Sequence, residues 1–468
     1  MHVAQALHEA LHQQRLAHRA GGLPTFHERR DDLLRLGRMI RVHAQEICEA
    51  IAQDYGHRSF HETRLTEMLP VQTGIRHALR QLSHWMRPQT RGIDRLSFGL
   101  ARNRVIPQPV GVVVVLVPWN FPLNLACMPL ISILAAGNRA MVKMSEHSRH
   151  LAQLLIRISP DYFPKDKLQF FQETGGVGEA FSRLPFDHLV FTGSTKTGRA
   201  VMAACAQNLC PVTLELGGRS PAIVADDFDL ETAARRILYV KCLNAGQICV
   251  TVDHVFVPRH KVDRFIALAQ RIVSERYPSL ESLDYTSIIH PQAYQRLTGL
   301  LDHAQEAGAT IIPLIKGPVR DEEKHRLAPH AVTGLSADAP MLSEEIFGPI
   351  LPVLPYDDPE EVLQAVRAGP HPLAFYPFSN NRGLIDRMIA QSMSGGVSVN
   401  DALFHVAQHE LPFGGIGASG MGHYHGREGF EAFSKMRPVF IQSRWSMAGL
   451  LAPPYGKTIN TILRFLGR

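Results

Sequence analysis

From Val105 to Asn138 the chain carries no charged residue. On length alone such a run would pass for a membrane-spanning helix. Its internal grammar argues otherwise. Val112 to Val117 is a β-branched run suited to a strand buried on both faces, and Pro118, Pro122 and Pro129 are expected to interrupt any helix. The reading is strand, loop, then buried segment, with no integral membrane span. The same alternation continues downstream, with strands expected at Leu168 to Thr174 and Asp187 to Thr192 and helices between them. Residues 109 to 215 therefore carry the signature of a doubly wound parallel sheet in an α/β protein.

The flanks fit that centre. Before it, helix follows helix: Asp31 to Tyr55 sets Leu33, Leu34, Ile40, Ile47 and Ile51 among charged residues at helical spacing, and Leu65 to Trp85 continues likewise. These helices read as scaffold without chemistry. Gly92 to Gln108 reads as an extended arm. After the sheet, His254 to Val257 is a strand candidate, Val262 to Arg276 a long helix, and Val397 to Asn400 a closing strand. The tail sets Ile459, Ile462, Leu463 and Leu466 at helical spacing with Arg464 and Arg468 interleaved, a short basic amphipathic helix expected to dock on protein. With 468 residues, two or three domains are expected.

Composition excludes several classes. Hydrophobic residues at 45% and charged residues at 20% are those of a globular protein, and the net charge of +6 is spread out, so no nucleic-acid-binding face is expected. The six cysteines form no Cys-x-x-Cys pair and no zinc-ligand spacing with histidine, so no metal site is expected and the thiols read as those of a cytoplasmic protein. Met1 to Ala20 lacks the apolar core of a signal peptide.

The chemistry concentrates between Thr213 and Val250. Glu215 sits in a Leu-Glu-Leu triplet, where desolvation raises a carboxyl toward the range of a general base. Cys249 follows Gly246 between apolar neighbours and could be the nucleophile that base assists, although buried free cysteines are mostly inert. Trp119 and Asn120 follow the strand of valines at its carboxyl end, where open parallel sheets hold ligands, yet Asn is also a common turn former. Lys143 and Glu146 lie just past another strand, placed for ribose hydroxyls or simply for solvent. Gly193 and Ser194 open a helix, the usual cradle of a phosphate.

Glu215-Leu-Gly-Gly-Arg-Ser-Pro221 followed by Gly246-Gln-Ile-Cys249 resembles the double signature of the NAD(P)-dependent aldehyde dehydrogenases. Pro118-Trp119-Asn120, Lys143-x-x-Glu146, Phe191-Thr-Gly-Ser-Thr195 and Glu344-Glu345-Ile-Phe347-Gly-Pro349 match the same family in order, over about residues 30 to 445. The resemblance implies Cys249 as nucleophile, Glu215 as base and Asn120 as oxyanion donor. It implies a dinucleotide, NAD with NADP as the alternative, held by Trp119, Lys143, Glu146, Gly193, Ser194, Glu345 and Phe347. The implied fold is an α/β cofactor domain (1–86 and 109–215), a catalytic domain (216–400), a bridging arm (87–108 and 401–445) and a tail (446–468), in a homodimer. The glycine-rich segment Leu411 to Gly426, ending Gly-Met-Gly-His-Tyr424-His425-Gly, resembles the class 3 branch and is similar to that of bacterial coniferyl aldehyde dehydrogenases. It implies an aromatic aldehyde oxidised to its acid. A long-chain aldehyde, acyl transfer to coenzyme A and cofactor-free cysteine hydrolysis remain the rival readings, and Tyr424 and His425 either touch substrate or brace their loop.

Overall fold

A computed structural model describes residues 2–444, 446 and 452–466. The rest of the expected tail, 447–451, 467 and Arg468, lies outside the described residues, as do Met1 and Trp445. Within the tail, Lys457–Leu466 is helical as expected, with Leu463 exposed.

The valine run forms the strand Val112–Leu116, every residue of it buried. Alternate side chains serve opposite layers, because successive residues of a strand point to opposite faces. Val113 and Val115 join the core under the helix Pro122–Ala135, while Val112, Val114 and Leu116 join a second core with Leu7, Leu11, Phe181 and Cys205. Leu7 and Leu11 belong to the first helix, His2–Gly21, whose buried Gln14 donates to the carbonyls of Ala140 and Lys165 at 3.0 Å.

The first sheet has six strands in the order Gly420–Met421, Val212–Glu215, His188–Thr192, Val112–Leu116, Arg139–Lys143, Leu168–Phe171. It is parallel except at the Gly420–Met421 edge. The chain winds outward from Val112–Leu116 in one direction and then returns to continue in the other. The winding reverses between Val112–Leu116 and His188–Thr192, and the crevice beyond their carboxyl ends is where such sheets bind ligands. A second sheet of seven strands runs Thr310–Pro313, His330–Thr333, Ile350–Tyr356, His254–Pro258, Pro221–Val224, Ala374–Phe378, Gly396–Val397. A three-stranded antiparallel sheet joins Gln89–Arg91, Arg102–Pro109 and Ser434–Ile441.

Four expectations need correction. The closing strand is Gly396–Val397 rather than Val397 to Asn400, and the arm Gly92 to Gln108 is interrupted by a helix at Arg95–Phe98. Asp31 to Tyr55 is not one helix but two, Phe26–Val42 and Ala44–Tyr55, broken at His43. The break lets the first pack on Leu69–Trp85 and Pro122–Ala135 while the second packs on Arg149–Ile158. Pro129 does not interrupt its helix: Pro122–Ala135 runs through it, with every residue except Asn124 and Leu125 buried. Pro122 takes the first turn, where its missing N–H is harmless, and Pro129 forfeits one bond inside a helix held by neighbours on all sides.

The N-terminal helices carry a buried polar knot. Arg58 lies between the rings of Tyr55 and Phe121, 5.0 and 4.9 Å from their centroids, and pairs with Glu67 at 2.8 Å, neither side chain exposed. The other oxygen of Glu67 accepts from the backbone N–H groups of Leu123 and Asn124, at the start of the helix after Asn120. Removing one partner from a buried ion pair leaves an uncompensated charge. Arg58→Met is therefore expected to lower unfolding free energy by about 3–5 kcal/mol, read from the urea denaturation midpoint at unchanged slope.

Candidate active site

Asn120 is fixed by that knot. Its carbonyl accepts from Tyr55 Oη at 2.8 Å and from Arg58 Nη1 at 3.3 Å, and its side-chain Nδ2 donates to the Gln247 carbonyl at 3.2 Å. An amide nitrogen has two N–H groups, so one remains for a ligand. The helices read as scaffold thus hold the loop that carries a predicted catalytic group.

The approach to Cys249 is a left-handed turn. Asn244, Ala245 and Gly246 take φ of 49°, 49° and 72° in succession. Two consecutive non-glycine residues in that region are costly, and hydrogen bonds over-determine them. The buried Asn244 amide donates to Asn120 O and Gln247 O, each at 3.1 Å, and the Asn244 backbone N–H donates to Glu62 Oε2 at 3.0 Å. Gln247 donates to Asn244 O and Ser287 O and accepts from the Ile289 N–H. A Cβ on Gly246 would stand 2.3 Å from the Gly348 carbonyl, so only glycine fits there.

Every predicted site residue except Lys143 and Glu146 lines one cleft of about 210 Å³. Trp119, Asn120, Gly193 and Ser194 come from the two strand ends flanking the reversal point, Glu215 from the end of the neighbouring strand. Cys249, Glu345 and Phe347 close it from the second sheet's side, where Phe347 at φ 47° sets its ring edge-on to Trp119 at 5.4 Å. Cys249 is half-buried, whereas the other five cysteines are fully buried.

The electrostatics of the cleft favour neutral acids. Burial lifts the Glu215 carboxyl well above its usual value, and neither of its oxygens has a hydrogen-bond partner. Burial, then the charges of Glu345 and Glu215, push the Cys249 thiol up to about 12. Glu345 is pushed to about 8, by burial first, against the Gly218 N–H that holds it down. These are groups placed to exchange protons rather than to pair permanently.

The same cleft has features a dinucleotide requires. Glu345 Oε1 is buried without a partner, an acceptor for a sugar hydroxyl. Gly193 and Gly217 admit no side chain, because a Cβ would collide with the Phe191 ring at 2.5 Å and the Glu345 carboxyl at 2.0 Å, both of which line or border the cleft. Ser194 caps the helix Thr195–Ala206 by accepting from the Thr197 N–H. Lys143 and Glu146 lie apart from the cleft lining; Lys143 Nζ is 3.7 Å from Glu146 and 2.8 Å from Glu173, a partner that sequence reasoning missed.

Tyr424 and His425 are both buried and neither lines the cleft. His425, at φ 92°, stacks on Phe413 with centroids 5.5 Å apart, and burial, then His409 and His405, hold its imidazole down at about 3. The pair lies in the loop Leu411 to Gly426. That loop sends Gly420–Met421 to pair with Glu215 and Leu214, and the Ser419 carbonyl accepts from the Leu216 N–H.

A family model described as "Aldehyde dehydrogenase family" matches residues 2–439. A "Probable coniferyl aldehyde dehydrogenase" of Pseudomonas aeruginosa is 44% identical, covering 96% of this chain and 94% of that protein. A "Coniferyl aldehyde dehydrogenase" of a Pseudomonas species is 39% identical over 99% of this chain and 96% of its own. The solved structure of Staphylococcus aureus AldH in its substrate-bound state superposes with a TM-score of 0.92 at 31% identity, over 98% of this chain and 99% of that one.

Two outcomes follow from the proton balance. In the cofactor-free protein, alkylation of Cys249 by iodoacetamide should accelerate with pH without levelling below pH 10, read by mass spectrometry of the Cys249 peptide. Glu215→Gln should match the native protein in thermal stability at pH 4. It should exceed it increasingly as pH rises above about 4.5, where the unfolded carboxyl ionises and the folded one stays protonated.

Proposed function

The chain belongs to the aldehyde dehydrogenase family and oxidises aldehydes with NAD(P), and we propose that Cys249 is its nucleophile, Glu215 its general base and Asn120 its oxyanion donor. The substrate we propose is an aromatic aldehyde, coniferyl aldehyde, released as the acid. The observation that carries this reading is the meeting of a half-buried thiol, an unpartnered carboxyl and a side-chain amide around one cleft.

The Cys249 sulfur, deprotonated, adds to the aldehyde carbon, and the oxyanion is stabilised by the remaining Asn120 N–H and the Cys249 backbone N–H. When bound, the nicotinamide supplies the hydride acceptor that turns this adduct into a thioester. Glu215, once its own proton has passed to solvent, then removes a proton from the water that attacks the thioester carbonyl, and the carboxylic acid leaves with Cys249 restored as a thiol. A bound dinucleotide would be held by Glu345 at the nicotinamide ribose, with Phe347 and Trp119 beside it, by Gly193 and Ser194 at the phosphates, and by Lys143 with Glu146 at the adenosine ribose.

The aromatic substrate rests on the two coniferyl aldehyde dehydrogenases described above. Hydrolysis rather than transfer to coenzyme A is supported by Glu215, which a thiol acceptor would not need. We assign residues 1–86 and 109–215 to cofactor binding, 216–400 to catalysis and 87–108 with 401–445 to the arm. A homodimer through that arm is supported by exposed Phe98, Leu100, Phe440 and Ile441 on or beside the three-stranded sheet, whose outer strands are open. Among the described residues no helix is long and apolar enough to cross a membrane.

Cys249→Ala should abolish aldehyde-dependent NADH formation. Glu215→Gln should keep the first-turnover burst and lose steady-state turnover; a lost burst would mean that Glu215 also activates the thiol. Asn120→Ala should slow turnover by about a hundredfold. Across a panel of aldehydes, coniferyl aldehyde should exceed decanal in kcat/KM, and the reverse order would overturn the aromatic assignment.

A further inference from the structure

Lys143 is not an isolated cation awaiting a ligand. Its Nζ lies 2.8 Å from Glu173 Oε2 and 3.7 Å from Glu146 Oε2, and the Lys143 and Glu173 side chains are about nine-tenths buried. Glu173 is itself fixed: one oxygen accepts from the N–H groups of Gly175 and Val177 at 2.8 and 2.9 Å, the other from Gly178 at 3.0 Å. Glu146 stands at 59% side-chain exposure. His147 Nε2 lies 4.0 Å from its other oxygen, and its ring centroid lies 4.3 Å from that of His290, the planes tilted by 31°.

Both carboxyls are ionised at neutral pH. Partial burial pushes Glu173 upward, but the Lys143 ammonium and the N–H groups of Val177 and Gly178 outweigh it and hold the carboxyl at about 2. For Glu146 burial is likewise outweighed, by its own backbone N–H, Lys143 and His147. One ammonium faces two carboxylates, and these three groups together carry a net negative charge.

We propose that Glu173 is a specificity-determining residue for the dinucleotide: it occupies the Lys143 ammonium and adds a second fixed negative charge, so that a 2′-hydroxyl is accepted and a 2′-phosphate is repelled. This rests on the reading that Lys143 and Glu146 meet the adenosine ribose. A hydroxyl can donate to a carboxylate, while a phosphate brings further negative charge and only acceptors. The Lys143 ammonium, which would otherwise attract that phosphate, is already engaged at hydrogen-bond distance. Because the Glu173 pair is largely removed from water, salt screens it less than a surface pair.

The test is equilibrium binding of NAD+ and NADP+ by titration calorimetry at pH 8 on the native protein, Glu173→Gln, Glu173→Asp, Glu146→Gln and Lys143→Met. The native protein should bind NAD+ more tightly than NADP+. Glu173→Gln should shift the ratio of dissociation constants toward NADP+ by about tenfold, and Glu173→Asp, which keeps the charge, should stay within about threefold of native. A ratio unmoved by Glu173→Gln but moved by Glu146→Gln would make Glu173 only a brace for its own loop and overturn the proposal. Equal shifts in the Gln and Asp variants would overturn it too, since charge would not be the cause. Lys143→Met leaving both affinities unchanged would remove the ribose placement itself, and the proposal with it.

Discussion

The buried pair between Arg58 and Glu67 is the contact on which the geometry of the site rests. Arg58 reaches the Asn120 carbonyl, Glu67 caps the helix that follows Asn120, and Glu62, 3.4 Å from Arg58, holds the backbone of Asn244 and the hydroxyl of Thr286. One knot therefore sets the loop bearing the amide and the turn leading to the thiol. Charges taken out of water are a poor way to gain stability but an effective way to fix a unique arrangement, because every alternative leaves one unpaired. The left-handed run at Asn244 and Ala245 survives for that reason.

Much of the fold was legible from local patterning. The strand Val112–Leu116, the helix Val262–Arg276 and the alternation between residues 109 and 215 follow from residue types at short range. The helix break at His43 was not legible, because both halves share the same periodicity and differ only in which neighbour they cover. Pro129 misled for a related reason: the rule against proline in helices describes an isolated helix, and Pro122–Ala135 is enclosed.

The site divides along the same line. Cys249, Glu215, Asn120, Glu345 and Gly193 sit in distinctive strings, and the structure brings all five to one cleft. Arg58, Glu62, Glu67 and Glu173 sit in ordinary surface-like contexts. Arg58 lies 62 residues from Asn120 and Glu62 lies 182 from Asn244, and no periodicity reports such separations. The residues proposed for the chemistry were readable; those that hold them still were visible only in three dimensions.

The Gly420–Met421 pairing on the strand ending in Glu215 has a consequence for synthesis. The chain emerges from the ribosome from its N-terminus, so the cofactor-side sheet can wind up, and the thiol and carboxyl can exist, long before their last edge neighbour has been made. Glu215 stands on an unfinished sheet margin throughout that interval. The strand that carries Glu215 therefore gains its outer neighbour only after residues 420 and 421 have been translated.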